Sequence, residues 1–161
     1  MGQALRQRLK QQTPFNSPAD EAMLNILITA DYLRTRFELM LSDYGITQSQ
    51  YNILRILRGV HPEGHSRGEI AARMIERAPD CTRLIDGLQR KRLVERTRTP
   101  NDRRLSLTRI TQAGLDLLSA LEPRVLQQQQ EILKRISLEE CLALSYICEK
   151  LYCDTLPPSS C

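Results

Sequence analysis

The sequence predicts a mainly helical α+β fold in which a small basic module sits between long outer helices. Three observations lead there. Apolar residues recur at helical spacing along most of the 161 residues. Only residues 93–110 are rich in strand formers, and the turn sequence TPNDRR divides them. Positive charge is concentrated between Ser66 and Ile110, with twelve Lys and Arg against six acids, whereas the whole chain carries a net +4.

The elements follow in chain order. Residues 1–16, polar and rich in Gln and Arg with Pro14 as a breaker, read as a flexible tail. Ser17-Pro18-Ala19-Asp20 opens a helix with a cap, a proline at the first helical position and an acid in the first turn. Met23, Leu24, Leu27, Ile28, Leu33, Phe37, Met40 and Leu41 carry that helix toward Gly45. Thr47-Gln48-Ser49-Gln50 is a capping box for a second helix with Tyr51, Leu54 and Leu57 on one face. GVHPEGH, residues 59–65, reads as a loop. Ser66-Arg67-Gly68-Glu69 is another capping box, starting a short helix with Ile70, Ala71 and Met74 inward. After a turn at Arg77-Ala78, a further helix is expected from Pro79, burying Cys81, Leu84, Ile85 and Leu88. Strands at 93–98 and 105–110 then form a two-stranded hairpin. Thr111 caps a long helix to Ile136, which Pro123 should kink or interrupt, and Ser137-Leu138-Glu139-Glu140 starts a last helix to about Tyr152.

Two short helices, a tight turn and a basic hairpin form the pattern of a winged helix-turn-helix. The second helix fits a major groove, and a basic hairpin reaches phosphates or the minor groove beside it. Double-stranded DNA is therefore the expected partner. The solvent side of the recognition helix should present Asp80, Thr82, Arg83, Asp86, Gly87 and Arg90, with Arg77 and Pro79 leading into it. Arg83 suits a guanine edge and Thr82 a thymine methyl, while Asp86 reads as an ion-pair partner of Arg83 or Arg90. Arg96, Arg98, Asp102, Arg103 and Arg104 form the wing, where guanidinium suits a narrow minor groove. Thr47, Ser66 and Arg67, at helix N-termini, are candidates for contact with the DNA backbone.

These residues, with TRLIDGLQRKRLVER followed by TPNDRRLSLTRITQAG between long helices, resemble the MarR family of winged-helix transcription regulators. The resemblance spans roughly residues 20–150 and is most specific at Asp102, Arg103, Arg104, Thr111 and Gly114. It implies a wing arginine in the minor groove at Arg104, held by Asp102, and groove-facing positions at Thr82 and Arg83. It also implies an intertwined homodimer built from residues 17–45 and 111–156 around a DNA-binding lobe at 46–110. Residues 157–161 are left as a tail. Small aromatic or phenolic ligands often bind between the lobes and the dimer interface in that family. Two positions depart from the pattern. Arg92 stands where Gly is usual after the recognition helix, and Pro79 stands where Ser or Thr is common. An Arg in a left-handed turn costs about 1 kcal/mol.

The function expected is therefore a sequence-specific regulator, acting as a repressor on pseudo-palindromic operators and released by a small aromatic effector. Tyr32, Arg36 and Tyr51 are candidates for the effector site, the alternative being ordinary core tyrosines and a surface charge. Two other readings compete. One is a winged-helix protein-interaction module without sequence readout, and the other is a thiol-redox regulator. Cys81 occupies the first turn of the recognition helix, but its spacing with Leu84, Ile85 and Leu88 favours the core. The five cysteines contain no CxxC pair and are expected as free thiols. His61, Glu63 and His65 share a loop expected in solvent, with no metal and no cofactor. No nucleophile–base constellation suggests an enzyme. No apolar run approaches the ~20 residues of a membrane span. The basic N-terminus lacks a signal core, and Arg6 occupies the position where myristoylation needs Ser or Thr, so a cytoplasmic location is expected.

Overall fold

The computed structural model describes residues 2–76, 80–99 and 102–153, with side chains for all of these except 98, 99 and 102–105. Two compact units divide the chain, Met1–Leu118 and Ser119–Cys161.

The first unit begins with a helix where a loose tail was expected. Helix α1 (Gln3–Leu9) buries Leu5. Gln, Arg and Leu are all good helix formers, and one anchored leucine gives a short turn something to hold, which composition alone concealed. Helix α2 (Pro18–Ser42) starts as expected, with Ser17 accepting a hydrogen bond from Asp20 N–H at 3.1 Å. Of its apolar stripe only Leu41 is fully buried.

Helix α3 (Gln48–Arg58) has the complete capping box. Thr47 Oγ1 accepts from Gln50 N–H, and Gln50 Oε1 accepts from Thr47 N–H, both at 3.2 Å. Ile53, Leu54 and Leu57 have no exposed surface and centre the core. Burying each such side chain contributes roughly 1.5–3 kcal/mol. Helix α4 (Arg67–Arg73) closes the core with Ile70, while Ala71, expected inward, is exposed.

Helix α5 (Cys81–Arg90) starts two residues later than the Pro79 start read from the sequence. Asp80 is its N-cap, its carboxylate accepting from Arg83 N–H at 3.2 Å. A short acceptor just before the apolar stripe outcompetes the proline signal, because it satisfies an otherwise orphaned donor. Cys81, Ile85 and Leu88 are buried and Leu84 is half-buried. Gly87, expected in solvent, is buried, and a Cβ there would lie 2.8 Å from Gln50 Nε2. The missing side chain leaves room for the Gln50 amide beside α5.

The end of α5 explains the unusual Arg92. Leu93 N–H bonds to Leu88 carbonyl at 3.0 Å and Arg92 N–H to Gln89 carbonyl at 2.9 Å, a complete Schellman closure. Arg92 occupies its left-handed position, with φ 60°. Lys91 Nζ donates across to the Gly45 carbonyl at the end of α2.

The sheet has three strands where two were expected. Strand β1 (His65–Ser66) pairs antiparallel with β3 (Asp102–Ile110), which pairs antiparallel with β2 (Val94–Thr99), in the order β1-β3-β2. A two-residue strand has no periodicity to detect, and it exists only because β3 offers an edge. Gly64 makes the approach possible. It has φ 84°, and a Cβ would sit 2.5 Å from the Thr108 carbonyl oxygen. The hairpin strands also extend further into TPNDRR than expected, with an irregularity between Arg98 and Thr99.

Thr111 joins the sheet to α6 (Gln112–Leu133). Its N–H bonds to Leu93 carbonyl at 3.1 Å, and its hydroxyl donates to Arg92 carbonyl at 2.7 Å. The same hydroxyl oxygen accepts from Gly114 N–H at 3.2 Å. Helix α6 continues through Pro123.

The second unit takes most of α6, from Ser119, and α7 (Leu138–Tyr152). The Ser137–Glu140 capping box forms as expected, at 3.1 and 2.7 Å. No residue of α7 is fully buried. Cys81, Cys141 and Cys148 are free, but Cys153 is disulfide-bonded, which corrects the expectation of free thiols throughout. Its scattered spacing carries no pairing signal in sequence.

Candidate nucleic-acid interface

Helix α5 and the β2–β3 hairpin bring the basic residues together. Thr82, Arg83, Gln89 and Arg90 form the exposed side of α5. Asp80 is exposed too, but its carboxylate is occupied in capping the helix. Of the expected entry residues, Arg77 and Pro79 lie outside the described residues. Arg98, Asp102, Arg103 and Arg104 lie on β2 and β3 by their backbone, and their side chains are outside the description.

Asp86 pairs differently from the expectation. Its Oδ1 lies 2.6 Å from the guanidinium of Arg96 on β2, not from Arg83 or Arg90. Arg83 and Arg90 are local neighbours on the helix, but the strand packed beside α5 presents a closer cation. This leaves Arg83 and Arg90 exposed beside Thr82. Arg96 follows Val94 by two residues, so its facing toward the core side was readable from the strand period. Its partner was not.

The helix-end residues are caps first. Ser66 Oγ accepts from Glu69 N–H at 3.3 Å, and Glu69 Oε2 accepts from Ser66 N–H at 2.8 Å. Hydrogen bonding of the Glu69 carboxylate to the Ser66 backbone, and then to its side chain, holds the carboxyl below its ordinary pKa. Thr47 is occupied in the same way at α3, and Arg67 is exposed at the start of α4.

Cys81 is buried, with Sγ 3.9 Å from the Arg67 carbonyl. Burial pushes its thiol pKa up, against the pull of the Arg67 charge. A raised pKa means little thiolate at neutral pH, the opposite of an activated sensor cysteine.

His65 is not in solvent as expected. It is buried in β1, with Nδ1 3.6 Å from Glu69 Oε2, while His61 and Glu63 are exposed. Among the described residues no three His, Cys, Asp or Glu side chains are grouped to hold a metal.

The expected effector residues fall into two pairs. Arg36 donates to Tyr32 Oη at 2.8 Å one turn away on α2, its guanidinium 5.7 Å from the ring centre. Tyr51 accepts from Arg55 at 3.2 Å, and its ring meets Phe37 edge to face at 5.2 Å between centroids. Phe37 and Arg55 were not singled out from sequence, although Arg55 stands four residues after Tyr51, within helical reach.

Comparison with known proteins agrees with this geometry. The family model described as MarR family matches residues 44–105. A MarR transcription factor from Planctomyces limnophilus is 40% identical in its crystal structure, covering 84% of this chain and 98% of that one with a TM-score of 0.66. Sco3205, a MarR family transcriptional regulator from Streptomyces coelicolor solved in complex with DNA, shares the fold. It has a TM-score of 0.77 at 21% identity, over 92% of this chain and 96% of that one. A putative transcriptional regulatory protein for the hcr operon of Thauera aromatica is 27% identical over 108 residues, 67% of this chain and 64% of its own. The chain spans just under two thirds of the length of the first curated relatives it matches, 64% and 66%. No helix among the described residues is long and apolar enough to cross a membrane.

Proposed function

We propose that this chain, which belongs to the MarR family of winged-helix transcription regulators, binds a pseudo-palindromic DNA operator as a homodimer and acts in the cytoplasm as a repressor. The observation that carries the reading is the exposed row Thr82, Arg83 and Arg90 on α5, whose helix neighbour Asp86 turns away to Arg96. Thr82 and Arg83 read base edges in the major groove, while Arg77, Pro79, Asp80 and Arg90 flank them. The wing, with Arg98, Asp102, Arg103 and Arg104, enters the minor groove, and Thr47, Ser66 and Arg67 lie against phosphates. That Sco3205 was solved in complex with DNA supports the partner class.

The homodimer is supported by apolar side chains left in solvent on the outer helices. Met23 and Leu27 on α2 are each 62% exposed, and α7 has no buried residue at all. Apolar surface on that scale marks an association site. A small aromatic or phenolic effector would release the operator, with Tyr32, Arg36 and Tyr51 as its candidate contacts. A complex with a natural ligand is known for the structural neighbour PcaV of Streptomyces coelicolor.

Selection of bound sequences from random duplex DNA tests the reading. Enrichment of inverted half-sites about 10 bp apart is expected for a dimer. Arg83→Ala should weaken binding to the selected duplex more than to random DNA, by about 1–3 kcal/mol. Arg104→Ala should weaken binding strongly without unfolding the protein. Failure to enrich any sequence, with shallow salt dependence, would leave the winged helix as a protein-interaction module.

A further inference from the structure

Arg96 stands two residues beyond Val94 on β2, so the strand pleat points both side chains to the same face of the sheet. The register sets Val94 opposite Ile110, and Arg96 opposite Thr108, which in turn faces His65 on β1. Val94, Ile110, Thr108 and His65 are all buried, so this is the inner face. A polar row, Arg96–Thr108–His65, therefore crosses the base of the wing. Both ends are tied to helices. His65 Nδ1 lies 3.6 Å from Glu69 on α4, and Arg96 lies 2.6 Å from Asp86 on α5.

We infer that Arg96 is a positioning residue and not a DNA contact: its pair with Asp86 sets the angle between the wing and the recognition helix. The pair is at charge-assisted hydrogen-bonding distance, and only 33% of the Arg96 side chain is exposed. A cation neutralised by its own acid displaces no counterion from DNA, and reaching a phosphate would require breaking the pair. Two elements that read adjacent grooves of one duplex must be held in fixed geometry, and among the described residues this pair is a direct charged link between α5 and β2. The inference rests on the reading that α5 and the wing engage one duplex together. It removes Arg96 from the set of wing contacts and gives Asp86 a reason to be on a DNA-facing helix.

The test uses the full chain, an operator duplex selected from random DNA and a scrambled duplex of equal length, titrated by fluorescence anisotropy over a salt series. Arg96→Gln is expected to lower operator affinity about tenfold while leaving the scrambled-duplex affinity and its salt slope unchanged. The doubly substituted D86R/R96E protein reverses the pair without changing net charge. It should bind the operator within about threefold of the parent, whereas R96E alone should not. Parallel loss on both duplexes, with the slope reduced by about 0.9, would make Arg96 a phosphate contact and overturn the assignment. So would a folded D86R/R96E protein that fails to recover operator binding. If the parent chain binds neither duplex, the DNA-binding reading itself fails, and that result is distinct from both.

Discussion

Helix α3 and helix α7 carry apolar stripes of the same kind, yet their surroundings differ completely. Ile53, Leu54 and Leu57 of α3 are fully buried, whereas Leu138, Leu142, Tyr146 and Leu151 of α7 are between 63% and 67% exposed. Helix α3 packs with α2, α4, α5 and β3 inside one lobe. Helix α7 has no buried residue to show for a leucine-rich sequence. The residues around α3 are thus packed within one unit, while α7 keeps its apolar side chains exposed. A protein organised this way should respond to substitution in two separable ways, through folding in the lobe and through association in the outer helices.

The sharpest way to break that distinction is to truncate one leucine from each region. Leu57→Ala should lower the unfolding free energy by about 2–5 kcal/mol, because the lobe has no slack to refill the space. Leu142→Ala should leave the lobe intact and weaken self-association, read as a concentration-dependent shift in sedimentation. Equal effects of both on chemical denaturation at low protein concentration would erase the distinction.

Gly114→Ala comes next. A Cβ there would fall on the Leu93 carbonyl oxygen, well inside van der Waals contact, and on the Ile110 side chain. Overpacking of this kind costs about 1–3 kcal/mol, measurable by thermal melting. The smallest effect has the opposite sign. Arg92→Gly should stabilise the chain by about 0.5–1 kcal/mol, since φ 60° is unfavourable for a residue with a Cβ. A loss of stability there would mean that the Arg92 side chain contributes more than its backbone strain costs.

Much of this architecture was legible in the sequence because its signals are local. Ser17, Thr47, Ser66 and Ser137 each announce a helix start through a partner three residues away, and all four caps form. The Thr111–Gly114 motif was legible as part of a family pattern, and the structure gives its physical reason in the Leu93 carbonyl. What escaped was set by distant partners. Strand β1 is two residues long and depends on β3 forty residues later. The Asp86 side chain chose a cation across the helix–strand boundary over two cations on its own helix. The burial of Gly87 depends on Gln50, a residue of another helix. On α5, the exposure of Thr82, Arg83 and Arg90 agrees with the helical spacing. Asp80 is exposed as expected, and its carboxylate has the further role of capping α5.

The two bonds from Thr111 back to Arg92 and Leu93 have a consequence for how such chains can vary. They close the hairpin at its root, so that residues 93–111 form a loop whose two ends meet at fixed atoms. The hairpin root, with the Arg96–Asp86 pair, is where the wing couples to α5, so changes beyond that root need not disturb the helices on either side. Insertions or deletions around 100–101 should therefore change reach and contact chemistry while the flanking helices keep their places. The wing tip behaves as an exchangeable fitting on a common socket: its length can vary beyond Arg98, while the root that carries Val94, Arg96, Thr108 and Ile110 stays with the lobe.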